Sequence, residues 1–248
     1  MGLLEVLEVT KYYGDFKALD NVDLKINRDE RISIIGPNGA GKTTLLNLIS
    51  GLLKPTRGKI ILEGKNITNM SPSERCKLGI VKSFQIPSYF PNLTTLDNLK
   101  VALISSLGKS KNFLKSYQQD EEINNLSERA LEVFGLYERR NFLAKDLPHG
   151  DKKLLDVASA FALRPKLILL DEPTSGVSIK EKRDLMGTIM SALKEMEISS
   201  LILVEHDMDI VFNYSSRVVV LHNGKILDDS SPELVKANKE VASVMFGS

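Results

Sequence analysis

The sequence predicts an α/β fold built on a mostly parallel sheet, and three observations predict it. Apolar runs at 31–35, 166–170, 200–204 and 217–221 have the length of buried strands and alternate with stretches of helical period. A glycine-rich loop, Gly36-Pro37-Asn38-Gly39-Ala40-Gly41-Lys42-Thr43-Thr44, joins the first of these strands to a helix signalled by Leu45, Leu46, Leu48 and Ile49. Two acids, Asp171 and Glu172, follow directly on the run Leu167 to Leu170, at the carboxyl end of a strand, where open α/β sheets bind their ligands.

Ahead of the loop, residues 3–9 and 18–26 are short, partly alternating and β-rich, and 59–62 is another such stretch. With turns marked by Gly14, Asn27 to Asp29, Gly58 and Gly64, they predict an antiparallel β region at the N-terminus. Between about 95 and 164 only helical period remains: Leu96, Leu99 and Leu103, then Ile123, Leu126, Ala130 and Val133, then Leu154, Leu155, Ala158 and Phe161. This reads as an inserted helical subdomain over 95–164, with 1–94 and 165–248 forming the α/β core and its antiparallel β region. The polar tract 108–120 reads as a surface loop of the insert. Tyr89, Phe90, Pro91 and Leu93 make an apolar connector, which fits either a protein contact or packing beneath the insert.

A net charge of +1, with basic residues dispersed among acids, gives no reason to expect a nucleic-acid surface. Cys76 is the only cysteine, and with His149, His206 and His222 it makes no metal-ligand spacing, so a reducing, cytosolic environment is expected. Acids interrupt the first residues too early for a signal sequence, and no apolar run is long enough to span a bilayer. Association with a membrane is therefore expected to go through another protein.

Gly36, four residues, then Gly41, Lys42 and Thr43 is the spacing of a phosphate-binding P-loop, here between strand and helix. Amides in the first helical turn have no intrahelical acceptor and sit at the positive end of the helix dipole, so they favour an anion. Lys42 would neutralise β and γ phosphates, and Thr43 would offer a hydroxyl to Mg²⁺. Asp171 is placed to hold the Mg²⁺ shell, and Glu172 to accept a proton from an attacking water.

GPNGAGKTT at 36–44, Gln85 after Phe84, LPHGDKK at 147–153, LILLDEP at 167–173 and EHD at 205–207 occur in the order of an ABC transporter ATPase, and nearly the whole chain resembles that family. The resemblance implies a RecA-like P-loop NTPase core and hydrolysis of ATP with Mg²⁺. It implies a second ABC ATPase subunit, transmembrane permease subunits, an extracytoplasmic substrate-binding protein acting indirectly, and a peripheral place on the cytoplasmic face of the membrane. It also assigns Tyr13 to stacking on adenine, Gln85 to Mg²⁺, the attacking water and the transmembrane partner, and His206 to the γ-phosphate. PNLTTLDNLKVAL, the segment around LPHGDKK and the ending DDSSPELVKANKEVASVMFG are most similar to the ATP-binding subunits of branched-chain amino-acid importers. Similar chains serve urea or amide uptake and lipid export. An ABC ATPase outside transport and a regulatory module that binds ATP without turnover stand as the other readings.

One departure has chemical weight. Relatives carry a signature loop resembling LSGGQ, whose serine and amides cap the γ-phosphate of ATP held by the opposite subunit. Here the loop is Leu147, Pro148, His149, Gly150, Asp151. Proline brings neither hydroxyl nor backbone N–H, although its fixed φ suits the first turn of a helix expected over about 150–163. Losing one charge-assisted donor to phosphate costs roughly 1.5 to 3 kcal/mol, or about one to two powers of ten. An asymmetric heterodimer is therefore expected, in which an intact signature on another ATPase completes this chain's site. Ser178 stands where many relatives place an aspartate, and is expected to hydrogen-bond at the subunit contact.

Overall fold

The structure is a computed structural model that describes residues 2–83, 89–106 and 120–246. In chain order its elements are β1 (Leu4–Tyr13), β2 (Phe16–Ile26), β3 (Arg31–Ile35), α1 (Lys42–Ser50), β4 (Arg57–Leu62), β5 (Lys65–Asn66), α2 (Pro72–Lys77) and β6 (Ile80–Lys82). These are followed by α3 (Thr95–Ser106), α4 (Glu121–Val133), α5 (His149–Phe161), β7 (Leu167–Asp171), α6 (Ile179–Glu195), β8 (Ser200–Val204) and α7 (Met208–Tyr214). β9 (Arg217–His222), β10 (Lys225–Ser230), α8 (Pro232–Ala237) and α9 (Lys239–Phe246) complete the chain.

Two sheets form: an antiparallel one in the order β2-β1-β4-β5, and a six-stranded one in the order β10-β9-β3-β8-β7-β6. In the second, β3 is parallel to both neighbours, pairing Ile32 with Ile202 and Ile34 with Val219, whereas β10 turns back antiparallel on β9. The four strands expected in the core are all present. The N-terminal stretches are longer than expected, because β1 and β2 form one continuous hairpin whose register closes at Tyr13 opposite Phe16.

The chain resolves into two compact units, one of residues 1–75, 169–172 and 199–248, the other of 76–168 and 173–198. In the first unit, β3 is buried from Ile32 to Ile35, as befits a strand covered on both faces. Val211, Val218, Val220, Val235 and Val241 gather on Ile35, so α7, α8 and α9 share one apolar cluster. Arg75 is fully buried in this unit and donates to the carbonyls of Leu48 (2.5 Å) and Ile49 (2.8 Å) in the last turn of α1, and to that of Thr68 (2.9 Å).

The helices α3 to α6 belong to the second unit. α4 starts where the Asp120 carboxylate accepts the Ile123 N–H and buries Ile123, Ser127, Ala130 and Leu131 along one face. Phe134 and Phe161 meet edge to face at 5.1 Å. Asn98 clamps the connector before α3: it accepts the Phe90 N–H and donates to the Phe90 and Thr94 carbonyls. The connector's Phe90 ring is 53% exposed, whereas Leu93 is only partly so. Of the two side chains read as packing beneath the insert, Phe90 is left exposed and Leu93 is partly buried. The tract 108–120 lies outside the described residues apart from Asp120, which caps α4.

Candidate active site

The phosphate loop owes its shape to a close approach of two strands. Gly36 follows β3 with φ +149°, and a Cβ there would lie 2.1 Å from the Leu221 carbonyl of β9, so only glycine fits. Gly41 then takes the N-cap position of α1 in the left-handed region, and no acid occupies the helix's first turn to compete for its amides. Lys42 is buried, and its Nζ donates to the carbonyls of Gly36 at 2.7 Å and Pro37 at 3.1 Å. Burial pushes the Lys42 ammonium below the ordinary lysine range, while Glu172 and Asp171 act against that shift. A phosphate entering the loop would add its charge to those of Glu172 and Asp171 in opposing that shift.

Asp171 closes β7 and is 2% exposed. Glu172 follows at φ +52°, a conformation that costs free energy outside glycine, and its N–H donates to the Val204 carbonyl of β8 at 2.9 Å. That bond ties the end of β7 to the end of β8, two residues before His206. The His206 Nε2 lies 2.9 Å from the Glu172 Oε1, so residues far apart in sequence meet as a carboxylate–imidazole pair. An oriented carboxylate at a strand end beside a phosphate loop has the makings of a general base.

Thr43 and Asp171 offer hard oxygen donors, the chemistry Mg²⁺ prefers. Among the described residues no group of three or more His, Cys, Asp or Glu side chains forms a metal site. A cation here would draw its remaining ligands from phosphate and water, as Mg²⁺ does, so these residues fit the ion. Tyr13 stands at the tip of the β1–β2 hairpin, 46% exposed, with the Lys11 Nζ 5.3 Å from its ring centroid. Its ring is open for stacking. Gln85 lies outside the described residues.

Within the second unit, Leu147 is buried, whereas Pro148 and His149 are exposed. Pro148 is the N-cap of α5, with ψ 155°, one residue ahead of the first helical turn where its fixed φ was expected to serve. α5 itself ends at Phe161. The Asp151 carboxylate is paired with the Arg139 guanidinium and is thereby neutralised within the chain. Within the chain the Ser178 hydroxyl accepts the Glu181 N–H at 3.4 Å, and its own N–H donates to the Glu181 carboxylate at 2.9 Å. This capping box starts α6, so the Ser178 hydroxyl serves its own helix. The buried Lys153 donates to Ser175 at 3.2 Å, joining α5 to the segment after Glu172.

Sequence reasoning missed Arg75, which lies in the polar stretch SPSERCK at 71–77. Burial pushes its guanidinium down to about 10, and Gly51 makes room for it, since a Cβ there would come within 2.9 Å of the Arg75 Nε. It missed equally the turn between β9 and β10, which touches the phosphate loop. The Asn223-Gly224 pair was the available signal.

Residues 19–175 match the family described as ABC transporter. A probable branched-chain amino acid transport ATP-binding protein, LivG, from Methanocaldococcus jannaschii is 36% identical over 236 residues, covering 94% of this chain and 91% of that one. The fold is similar to the ADP conformation of an ATP-binding cassette of an ABC transporter, with TM-score 0.89, 34% identity and all of both chains covered. It is also similar to a dimeric post-hydrolysis cassette bound to ADP and Pi, with TM-score 0.77, 27% identity, and 92% of this chain and 98% of that one covered.

Proposed function

This chain belongs to the ABC transporter family, and on that premise we propose that it is the ATP-hydrolysing subunit of an importer of branched-chain or other hydrophobic amino acids. The contact between His206 and Glu172 is the observation that carries the hydrolytic part of this reading. Tyr13 stacks on the adenine, residues 36–44 cradle the phosphates, and Lys42 neutralises them. Thr43 and Asp171, with Gln85, would hold Mg²⁺, which when bound would neutralise charge developing on the phosphates. Glu172, oriented by His206, takes a proton from the water that attacks the γ-phosphorus as the bond to ADP breaks. Phosphoryl transfer asks little more of a protein than position and charge.

Cassettes of this family work in pairs. In this chain the signature segment 147–151 faces a partner's ATP with Pro148 in place of a donor, and the partner returns an intact signature to the site built on Lys42, Glu172 and His206. The division into a nucleotide-binding core, 1–94 with 165–248, and a helical subdomain, 95–164, matches this separation of roles. No helix among the described residues is long and apolar enough to cross a membrane. The subunit sits peripherally on the cytoplasmic face, held by permease subunits that dock on the connector bearing Phe90.

The cargo is supported by the name of the 36% identical relative. A strain lacking this gene but retaining the permease partners provides the test. The wild-type chain should restore leucine uptake, while Phe90→Ala should restore less than about a tenth of it and still bind ATP when purified. Restored uptake of urea or an amide, or restored lipid export, in place of leucine uptake would overturn the cargo. A Phe90→Ala chain that restores full uptake would overturn the docking site.

A further inference from the structure

The phosphate loop carries a support that neither the glycine pattern nor the acid pair reveals. β9 and β10 are joined through Asn223 (φ +48°) and Gly224 (φ +77°), a turn with both central residues in the left-handed region. The Gly224 N–H donates to the Ala40 carbonyl at 3.1 Å, and the Gly224 carbonyl accepts the Asp20 N–H at 2.8 Å. The turn is thus hydrogen-bonded to the phosphate loop on one side and to β2 on the other. A Cβ on Gly224 would lie 2.8 Å from the Ala18 carbonyl, and a Cβ on Gly41 would lie 2.7 Å from that same oxygen. Loop, turn and β2 converge on Ala18, which is itself 5% exposed. Outside this junction, the Asp20 carboxylate meets Lys17 at 3.1 Å and Lys225 at 3.3 Å.

A trans peptide is planar, and its C=O and N–H point in opposite directions. Holding the Ala40 carbonyl toward Gly224 therefore turns the next N–H, that of Gly41, the other way, toward the space enclosed by residues 36–41. We infer that Gly224 is a positioning residue for phosphate binding: its N–H fixes the Ala40–Gly41 peptide so that the Gly41 amide is already aimed when the nucleotide arrives. Preorganised donors need no reorientation on binding, so their loss is read in affinity. The inference rests on residues 36–44 being the phosphate cradle.

The test replaces Gly224 with glycolic acid, which exchanges the N–H for an ester oxygen and leaves the remaining atoms in place. Gly224→Ala, which adds the Cβ as well, is the harsher companion, and Gly14→Ala is the control, since a Cβ at that left-handed turn meets nothing within 4 Å. The ester chain should bind inorganic tripolyphosphate and MgATP more weakly by one common factor of about 3 to 10. KM should rise by that factor while kcat at saturating ATP and the melting temperature stay near wild type. Unchanged tripolyphosphate affinity, a loss confined to ATP, or a lowered melting temperature with unaltered affinity would each overturn the inference. If the wild-type chain bound neither ligand, the cradle itself would be refuted, a result distinct from the failure of Gly224. Should Gly224→Ala fail to fold, the ester chain still decides the question.

Discussion

Glu172→Gln should leave MgATP binding within about twofold of wild type and lower hydrolysis by about 10² to 10⁴-fold. Glutamine keeps the shape and can still hydrogen-bond to His206, which lies 2.9 Å from the carboxylate, and the backbone bond from residue 172 to Val204 of β8 is untouched. What disappears is the carboxylate proposed to take the proton from water. Phosphate release at saturating ATP, measured with the membrane partners and the second ATPase present, reads the effect. A rate within tenfold of wild type would mean that another group is the base, and that the strained φ of Glu172 has some other purpose.

Gly36→Ala should weaken MgATP binding by about 100-fold or more. The new Cβ would fall 2.1 Å from the Leu221 carbonyl, far inside any real contact, at a φ of +149° that alanine rarely adopts. Strain of this kind costs on the order of 3 kcal/mol or more, which is about two powers of ten in affinity. Since β9 cannot yield without disturbing the sheet, the loop is displaced and its amides leave the phosphate positions. Equilibrium binding beside thermal melting in the absence of nucleotide separates a displaced loop from an unfolded chain. Binding within a few-fold of wild type would show that the loop has slack the structure does not suggest.

The strands that build the core were legible because a strand buried on both faces must be apolar throughout, and 31–35 and 200–204 match β3 and β8 residue for residue. The phosphate loop was legible because glycines at that spacing, between a strand and a helix, have few other uses. β6 was not, since Ile80 to Lys82 is too short to display a period. β10 was missed although Asn223-Gly224 is a strong hairpin turn, because KILDDS is only partly buried and alternates poorly. α8 had its own signal in Ser231 followed by Pro232 at the helix start, but the burial of Val235 and Val241 comes from tertiary packing on Ile35 and Val211. The side chains read less well than the backbone. Asp151 looked like part of a phosphate cap, and only the fold reveals Arg139 beside it. The capping role of Ser178 was legible but unread, since Glu181 three positions later spells a capping box in the sequence itself. The pairing of Glu172 with His206 depends on β7 and β8 ending side by side, which no local pattern encodes.

Pro148 gives the clearest reason to expect an unequal pair of ATPases. It caps α5 with no side-chain hydrogen bond and is exposed, where the proposed signature loop would otherwise offer a donor to a partner's phosphate. Restoring a hydroxyl and an N–H at this one position should recover about one to two powers of ten in closure. The decisive measurement is mass by light scattering of the purified Glu172→Gln chain, with and without MgATP, beside the same chain also carrying Pro148→Ser. With hydrolysis blocked, the chain with Pro148 should bind ATP and remain a monomer, while the chain with serine at 148 should double its mass when MgATP is added. A MgATP-dependent dimer of the Pro148 chain would contradict the need for a partner's intact signature.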